Sequence, residues 1–287
     1  MLSLFGAALS AVVLLVAPAA TQSGGSEVVA AKAYRDACGA GKIRTRSTYW
    51  TCTLVDDFNG TALNRKLWHV MAQPSEGLAC QVDSPATVSV SGGTLKLRAV
   101  RSGSGATCPP RWNGARGTYA TGWINTFNKW SQQYGRFEVR MRNTDTRTPG
   151  LQEAFWLWPD MRYSGGFWPD HGEIDVVETY SQYPDLMVPY LHYTFNDNGG
   201  PIPGLNTAWN CQAKRGVWNT YALEWDANRV SIFVNGQLCL TNTAGAPTFR
   251  KRFIMSLSQM IGVGGNSPTA GTPIPATTEV DYVKVWR

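Results

Sequence analysis

The sequence predicts an all-β protein, arranged as a two-sheet antiparallel β-sandwich. Its 29 Gly and 16 Pro are spread over 287 residues without a repeat period, which indicates many short elements joined by turns. Several segments alternate apolar and polar residues, and no long window has the 3.6-residue period of a helix. With 43% hydrophobic residues, the chain has enough apolar material for one large folded body.

The predicted strands begin after residue 50. Apolar residues alternate with charged ones over 95–99 and over 136–142, so each segment has one buried and one solvated face. The segments 221–225 and 230–234 are further strands, and Asn235-Gly236 predicts a tight hairpin turn into 237–239. A last strand covers 280–286. A curved sheet in such a sandwich leaves a concave outer face that can hold an extended ligand.

The amino-terminal segment predicts export. Residues 2–16 carry no charge and are followed by Ala17-Pro18-Ala19, a small-x-small cleavage pattern. We therefore expect a signal peptide over 1–20, an extension over 21–50 and the β-sandwich over 51–287, in a secreted or cell-envelope-associated protein. Because no Lys or Arg precedes the apolar stretch, an uncleaved anchor stays open as the alternative. The stretch is short for a membrane span, so no integral span is expected after cleavage.

Six cysteines are predicted to form three disulfides. They show no Cys-x-x-Cys spacing, so an exported chain is expected to use them for disulfides and not for metal ligation. Pairing of nearest neighbours joins Cys38 to Cys52, Cys80 to Cys108 and Cys211 to Cys239.

The charge of the chain does not predict a nucleic-acid partner. The formal net charge is +6, but the basic residues are scattered and the densest run is Arg250-Lys251-Arg252, which we interpret as a solvated turn. A modest positive charge favours contact with an anionic cell envelope.

Three acids lie close together in Gly172-Glu173-Ile174-Asp175-Val176-Val177-Glu178. On a regular strand, Glu173 and Asp175 share a face and Glu178 points to the other. A bulge at Val176-Val177 would return Glu178 to the face of the other two. The two glutamates are then separated by about 13 Å of backbone, and side chains leaning together bring their carboxyl groups to about 5–6 Å.

That separation is typical of retaining glycosidases, in which one carboxylate attacks the anomeric carbon and the other, protonated, donates to the leaving oxygen. Repulsion between like charges helps to keep one acid protonated near neutral pH. Asp175 would hydrogen-bond the nucleophile and fix its rotamer. Two alternatives stay open from these seven residues: a solvated strand face that happens to be acidic, and a metal site of His171 and the acids, which lacks a recognised ligand spacing.

Further segments accompany the acids along nearly all of the predicted sandwich. They are Asp57-Phe58-Asn59-Gly60, Tyr134-Gly135-Arg136-Phe137-Glu138-Val139-Arg140, Ala154-Phe155-Trp156-Leu157-Trp158-Pro159, Trp168-Pro169-Asp170-His171-Gly172, Trp218-Asn219-Thr220-Tyr221-Ala222-Leu223-Glu224-Trp225 and Val280-Asp281-Tyr282-Val283-Lys284-Val285. With them, the chain resembles glycoside hydrolase family 16, on the laminarinase-like side with the signature E-x-D-x-x-E. The resemblance implies a β-jelly-roll with a substrate cleft across its concave sheet, and retaining endo-hydrolysis of β-linked glucan without a required cofactor.

The resemblance also implies roles for individual residues. By position, Glu173 would be the nucleophile, Glu178 the acid/base and Asp175 their orienting partner. Trp156 and Trp168 would lie in the cleft, where sugar rings pack their apolar C–H faces on aromatic planes.

Two further residues are expected to bind substrate. Arg140, on the polar face of its strand, would reach the cleft floor, with a surface ion pair as the alternative. His192 matches a histidine near the acid/base of the family, with a structural histidine as the alternative.

A calcium ion is a candidate structural ligand, because Asp57 and Asp281 resemble positions that bind calcium in some relatives.

The sequence also departs from the laminarinases. Where they commonly have Gly-Leu-Trp-Pro-Ala-Phe-Trp, this chain has Gly150-Leu151-Gln152-Glu153-Ala154-Phe155-Trp156, and Ser267 follows Gly264-Gly265-Asn266 where they often have Trp. The missing aromatic residues at the edges of the cleft bear on which polysaccharide is the substrate, more than on the type of reaction.

The sequence therefore predicts a secreted, monomeric, retaining endo-β-1,3-glucanase whose partner is a polysaccharide. One alternative is a hydrolase or transglycosylase of the same clan that acts on another β-linked polysaccharide, such as an envelope galactan. The other is a glucan-binding protein without turnover, which is disfavoured because binding requires no second glutamate at catalytic spacing.

Overall fold

The structure is a computed structural model that describes residues 37–39, 43–45, 48–74, 77–193 and 201–287. The predicted signal peptide over 1–20 and part of the predicted extension over 21–50 lie outside these residues. Within them, the secondary structure is β-strand apart from one short 3-10 helix, Gly264–Asn266. No helix in the described ranges has the length and apolar character that a membrane crossing requires.

The strands follow one another along the whole described chain. In chain order they are β1 (Ile43–Thr45), β2 (Thr48–Trp50), β3 (Cys52–Asp56), β4 (His69–Val70), β5 (Ala79–Gln81), β6 (Val88–Ser91), β7 (Thr94–Arg101), β8 (Tyr119–Thr121), β9 (Trp123–Asn125), β10 (Gly135–Asn143), β11 (Leu151–Pro159), β12 (Glu173–Tyr180), β13 (Leu186–His192), β14 (Cys211–Gln212), β15 (Asn219–Trp225), β16 (Val230–Val234), β17 (Gln237–Asn242), β18 (Phe253–Ile261) and β19 (Ala276–Trp286).

Two large sheets form the predicted sandwich. The ten-stranded sheet has the order β17-β16-β15-β10-β19-β7-β8-β5, with β3 also paired to β19 and β6 to β7. The seven-stranded sheet has the order β14-β13-β12-β11-β18-β9-β4, and β1 pairs with β2 in a separate ribbon. The prediction of an antiparallel all-β sandwich is confirmed, with the parallel pair β5 and β8 as an exception.

The main core lies between the facing surfaces of these sheets. In β10, Phe137 and Val139 are fully buried and alternate with half-buried charged residues, as the alternation in the sequence predicted. In β11, Phe155 and Leu157 are buried in the same cluster from the opposite sheet. Each sheet therefore has one apolar face turned inward and one face left for other contacts.

The predicted hairpin at Asn235-Gly236 is confirmed. It joins β16 to β17, and both turn residues have positive φ angles of 49° and 80°. These angles are those of a two-residue turn whose twist matches the flanking strands.

The three predicted disulfides are confirmed as Cys38–Cys52, Cys80–Cys108 and Cys211–Cys239. The first attaches the described residues 37–39 to β3. The third joins the short edge strand β14 of the seven-stranded sheet to β17 of the ten-stranded sheet.

A buried polar network also connects the two sheets. Glu153 of β11 is fully buried, and Arg215 donates to both of its carboxylate oxygens at 2.7 and 2.8 Å. The Thr179 hydroxyl donates to Glu153 at 2.7 Å, and the Gln259 amide donates to it at 3.2 Å. Thr278 of the ten-stranded sheet donates to Gln259 at 2.9 Å. Glu153 is one of the positions at which this chain departs from the laminarinases, and it is thus one partner of an interior ion pair with Arg215.

Replacement of Arg215 tests this network. R215M leaves the Glu153 carboxylate buried without its cation, and we expect the free energy of unfolding to fall by about 3–5 kcal/mol. The matched control is R142M, which breaks a partly exposed ion pair with Glu279 and should cost at most about 1 kcal/mol. Urea unfolding of both variants measures the difference, and equal losses would contradict a stabilising interior pair.

Candidate active site

A β-bulge in β12 places the three acids on one face of the seven-stranded sheet. In the pairing with β11, Trp156 lies opposite Asp175 and Phe155 opposite Val177, so Val176 is the extra residue. The pairing with β13 shifts between Asp175 and Glu178 as well. The bulge predicted from the spacing of the acids is therefore confirmed. The intervening apolar residues belong to the main core, namely Ile174, Val176 and Val177.

Trp168 and His192 both lie beside the first two acids. The Trp168 indole N–H donates to Glu173 Oε2 at 2.8 Å, and His192 Nε2 lies 3.4 Å from Asp175 Oδ2. The two rings also pack against each other, with centroids 5.1 Å apart. In the register of β12 and β13, His192 lies opposite Glu173, so the histidine contacts the acids at the start of the strand.

Two side chains that the sequence did not single out as functional contact Glu178. The Gln152 amide donates to Glu178 Oε1 at 2.7 Å, and the Tyr180 side chain is also hydrogen-bonded to this carboxyl group. Tyr180 could have been found from the alternation along β12, since it follows Glu178 by two residues. The sequence marked Gln152 only as a position at which laminarinases commonly have Trp.

Burial raises the pKa of each of the three acids. The pKa of Glu173 is raised to about 8, by desolvation first and then by the nearby charge of Asp175. Desolvation and the charge of Glu178 hold the pKa of Asp175 well above its ordinary value. Desolvation also raises the pKa of Glu178, against hydrogen bonds from Tyr180 and Gln152 that favour the charged form. The cluster therefore retains a proton at neutral pH, which an acid catalyst requires.

An apolar pocket of about 340 Å³ lies beside the acids on the side of β11, β18, β9 and β4. Trp156, predicted to be in the cleft, lines it, with ring centroids 5.3 Å from Trp123 and 6.1 Å from Trp158. The rest of the lining is His69, Met71, Asn125, Phe127, Pro159, Met161, Ile254 and Ser256. In the described part of the chain, no Lys, Arg, Asp or Glu lines this pocket. Alternation along β11 could have identified Trp158.

The prediction that Arg140 reaches the cleft floor is wrong. Arg140 belongs to β10 of the ten-stranded sheet, while the acids belong to the seven-stranded sheet. Its guanidinium pairs with Asp281 at 2.6 Å and lies 4.7 Å from the centre of the Trp218 ring. Alternation identified its solvated face correctly but carries no information about which sheet the strand joins.

The calcium candidates do not form a cation site. Asp281 is occupied by the guanidinium of Arg140, and Asp57 is an exposed residue whose carboxylate accepts from the backbone of Asn59. These residues therefore do not fit a calcium ion.

Among the described residues, one group has ligand atoms close enough to share a metal ion: Glu173, Asp175 and His192, all within 4.8 Å of one another. His171, considered earlier as a ligand, is not in this group and packs edge-on against Trp158. The grouped residues are two of the three acids and their histidine neighbour.

Comparisons with known proteins agree with this geometry. The profile of the family described as Glycosyl hydrolases family 16 matches residues 79–284. The chain is 29% identical over 177 residues to the keratan-sulfate endo-1,4-beta-galactosidase of Sphingobacterium multivorum, covering 59% of this chain and 40% of that protein. It is 28% identical over 265 residues to the glucan endo-1,3-beta-glucosidase of Cryptopygus antarcticus, covering 83% of this chain and 92% of that protein.

The fold is also that of solved structures. The endo-beta-1,3-glucanase of Pyrococcus furiosus superposes with a TM-score of 0.72 at 21% identity, covering 85% of this chain and 97% of that one. The predicted jelly-roll is therefore confirmed. The chain spans less than two thirds of the length of several curated relatives that it matches.

The raised pKa of Glu173 predicts how stability depends on pH. A carboxyl group with a pKa of 4.5 in the unfolded chain and about 8 in the folded protein lowers stability as the pH rises between these values, because the unfolded chain is ionised there and the folded group is still protonated. One pKa unit corresponds to about 1.4 kcal/mol, so E173Q should gain at least about that much on the wild type between pH 4.5 and pH 8. Urea unfolding at both pH values measures this gain, and a pH-independent difference would contradict it.

Proposed function

The chain belongs to glycosyl hydrolase family 16, and from this membership and the geometry of the acids we propose that it is a secreted, retaining endo-β-1,3-glucanase. The observation that carries the proposal is the bulge in β12, which turns Glu173, Asp175 and Glu178 toward the same face. The curated and solved relatives named for activity on β-1,3-glucan support the choice of substrate.

In the first step, a carboxylate oxygen of Glu173 attacks the anomeric carbon of the sugar. The bond from that carbon to the leaving oxygen breaks, and Glu178 gives its proton to this oxygen, so that a glycosyl-enzyme ester and a shortened glucan result. Burial raises the pKa of Glu173 to about 8, so the attack uses its ionised form, which the indole N–H of Trp168 and the nearby His192 favour, while the proton resides on Glu178. Asp175, raised in pKa by burial and by Glu178, is the orienting partner between the two.

In the second step, Glu178 removes a proton from water, and the water oxygen attacks the same anomeric carbon. The ester bond breaks, Glu173 leaves as the carboxylate, and the net configuration is retained after two inversions. Gln152 and Tyr180 hydrogen-bond the Glu178 carboxyl group and hold it in place through both steps.

The pocket lined by Trp156 supports a neutral glucan as the substrate. Trp123, Trp156 and Trp158 offer aromatic surface to the C–H faces of sugar rings, and no charged side chain in the described lining would pair with a sulfate or a uronate. A sulfated or uronic polymer would lose the hydration of its charges there without gaining a partner. This chemistry favours glucan over the sulfated substrate in the name of the galactosidase relative.

Secretion is supported by the three disulfides, which form and persist in oxidising compartments. It is also supported by the uncharged segment 2–16 with its cleavage pattern.

Azide rescue distinguishes the proposed roles of the two glutamates. E173A and E178A should each lower hydrolysis of laminarin by at least about 100-fold. With an aryl glycoside, whose leaving group needs no proton, E178A should still form the glycosyl-enzyme, and azide should release it as the β-glycosyl azide. In E173A, azide should instead take the place of the carboxylate and give the α-glycosyl azide.

The control for these variants is E279A, in the ten-stranded sheet, which should keep wild-type activity. Nuclear magnetic resonance of the azide products gives their configuration. The reverse pattern of products, or full laminarin activity in either variant, would contradict the assignment.

A panel of polysaccharides tests the substrate. The wild type should release oligosaccharides of several lengths from laminarin and leave keratan sulfate intact, because the pocket offers no partner for sulfate. Separation of the products by length measures both points. Release of monosaccharide alone would contradict endo-hydrolysis, and preferred cleavage of a sulfated or galactan polymer would contradict the assignment of the substrate.

A further inference from the structure

An aromatic cluster lies beyond Glu178, on the other side of β12 from the Trp156 pocket. Trp209 and Tyr183 are 44% and 42% exposed, respectively. The rings of Trp209 and Tyr180 are nearly parallel, at 10° with centroids 6.5 Å apart, and Tyr183 packs edge-on to the indole at 5.6 Å. The indole is thus oriented by two neighbouring rings while much of its surface faces solvent.

The backbone around Trp209 is anchored on both sides. The Thr207 hydroxyl donates to the Pro189 carbonyl of β13 at 2.8 Å. On the other side, Cys211 pairs with Met187 of β13 and forms the disulfide to Cys239. A side chain held in this way loses little further conformational freedom when a ligand binds, which favours binding.

The cluster is connected directly to the proposed acid/base. Tyr180 is on the same face of β12 as Glu178 and hydrogen-bonds its carboxyl group. Trp209 lies at the β14 edge of the sheet, and β13 separates that edge from β12. The indole nevertheless reaches the side chains of β12, because its ring centroid is 6.5 Å from that of Tyr180.

This placement has a chemical consequence. Glu178 gives its proton to the leaving oxygen, so the sugars attached to that oxygen extend past Glu178. The Trp156 pocket lies on the opposite side of β12, toward β4, and Trp156 is paired with Asp175 near the Glu173 end of the strand. Under the proposed function, we assign to this pocket the sugar that becomes bound to Glu173. The leaving chain is therefore directed toward Tyr180 and Trp209.

We propose that Trp209, oriented by Tyr180 and Tyr183, is a binding platform for the leaving-group side of the polysaccharide, beyond the sugar that contacts Glu178. Its ligand is a neutral glucan segment whose C–H faces pack on the indole. The proposal rests on the function proposed above, because the roles of Glu173 and Glu178 in that function define which side of the acids holds the leaving group. The platform contributes to binding of long chains and takes no part in bond breaking.

The test compares two substrates of the same enzyme. A laminarin hexasaccharide occupies both sides of the acids, whereas an aryl glycoside of laminaribiose places sugars on the Trp156 side alone. W209A should lower kcat/KM for the hexasaccharide about three- to ten-fold, through a higher KM, the range expected for loss of one aromatic contact. It should leave kcat/KM for the aryl glycoside unchanged, which a general disturbance of the fold would not.

Two variants complete the design. W209F keeps an aromatic plane and should recover most of the hexasaccharide activity. W112A removes a tryptophan that is 97% exposed and does not line the Trp156 pocket, and it should match the wild type on both substrates. Equal behaviour of W209A and W112A on the hexasaccharide would overturn the platform, as would an equal loss in W209A on both substrates.

Failure of the proposed function is distinguishable from failure of the platform. A wild type that cleaves no β-1,3-glucan contradicts the function alone. Electrophoresis of the wild type, W209A and W112A in gels containing each polysaccharide of the panel then tests the platform. Weaker retardation of W209A alone supports it, and equal migration of the three proteins in every gel overturns it.

Discussion

The geometry of the site depends on one extra residue in β12. Without the bulge at Val176, strand alternation would turn Glu178 into the core between the sheets, where Ile174 and Val177 are packed. With it, Glu178 shares a face with Glu173 and Asp175, and the apolar residues between them remain buried. A single irregularity thus reconciles a packed interior with a row of acids, and such bulges are common next to active sites.

Carboxyl groups brought together in this way destabilise the fold, and the surrounding structure compensates. Desolvation and mutual repulsion raise their pKa values, while Trp168, Gln152 and Tyr180 satisfy their hydrogen bonds. On the opposite face of the same strand, Thr179 is bonded to Glu153, which joins the interior network between the sheets. Because Thr179 directly follows Glu178 in β12, these hydrogen bonds also fix the backbone that carries the proposed acid/base.

Strand alternation and the spacing of the acids were sufficient to predict the sandwich, the hairpin at Asn235 and the bulge, because each depends on neighbours in sequence. The error at Arg140 has a physical cause: its polar face was evident, but the choice of sheet depends on pairing with distant strands. Trp209 lies in a loop without periodicity, and its position depends on packing against Tyr180 and Tyr183. Glu153 was noted only as a departure, since nothing local indicates that Arg215 neutralises it.

A crystal structure of the enzyme trapped with a 2-fluoro-glycosyl substrate tests the central claim most directly. The fluorine slows the second step, so the covalent intermediate accumulates. The account predicts an ester bond from Glu173 to the anomeric carbon, with the Glu178 carboxyl group on the same face of the sheet and about 5–5.5 Å from the Glu173 carboxyl. An ester on another residue, or Glu178 turned into the core, would contradict it.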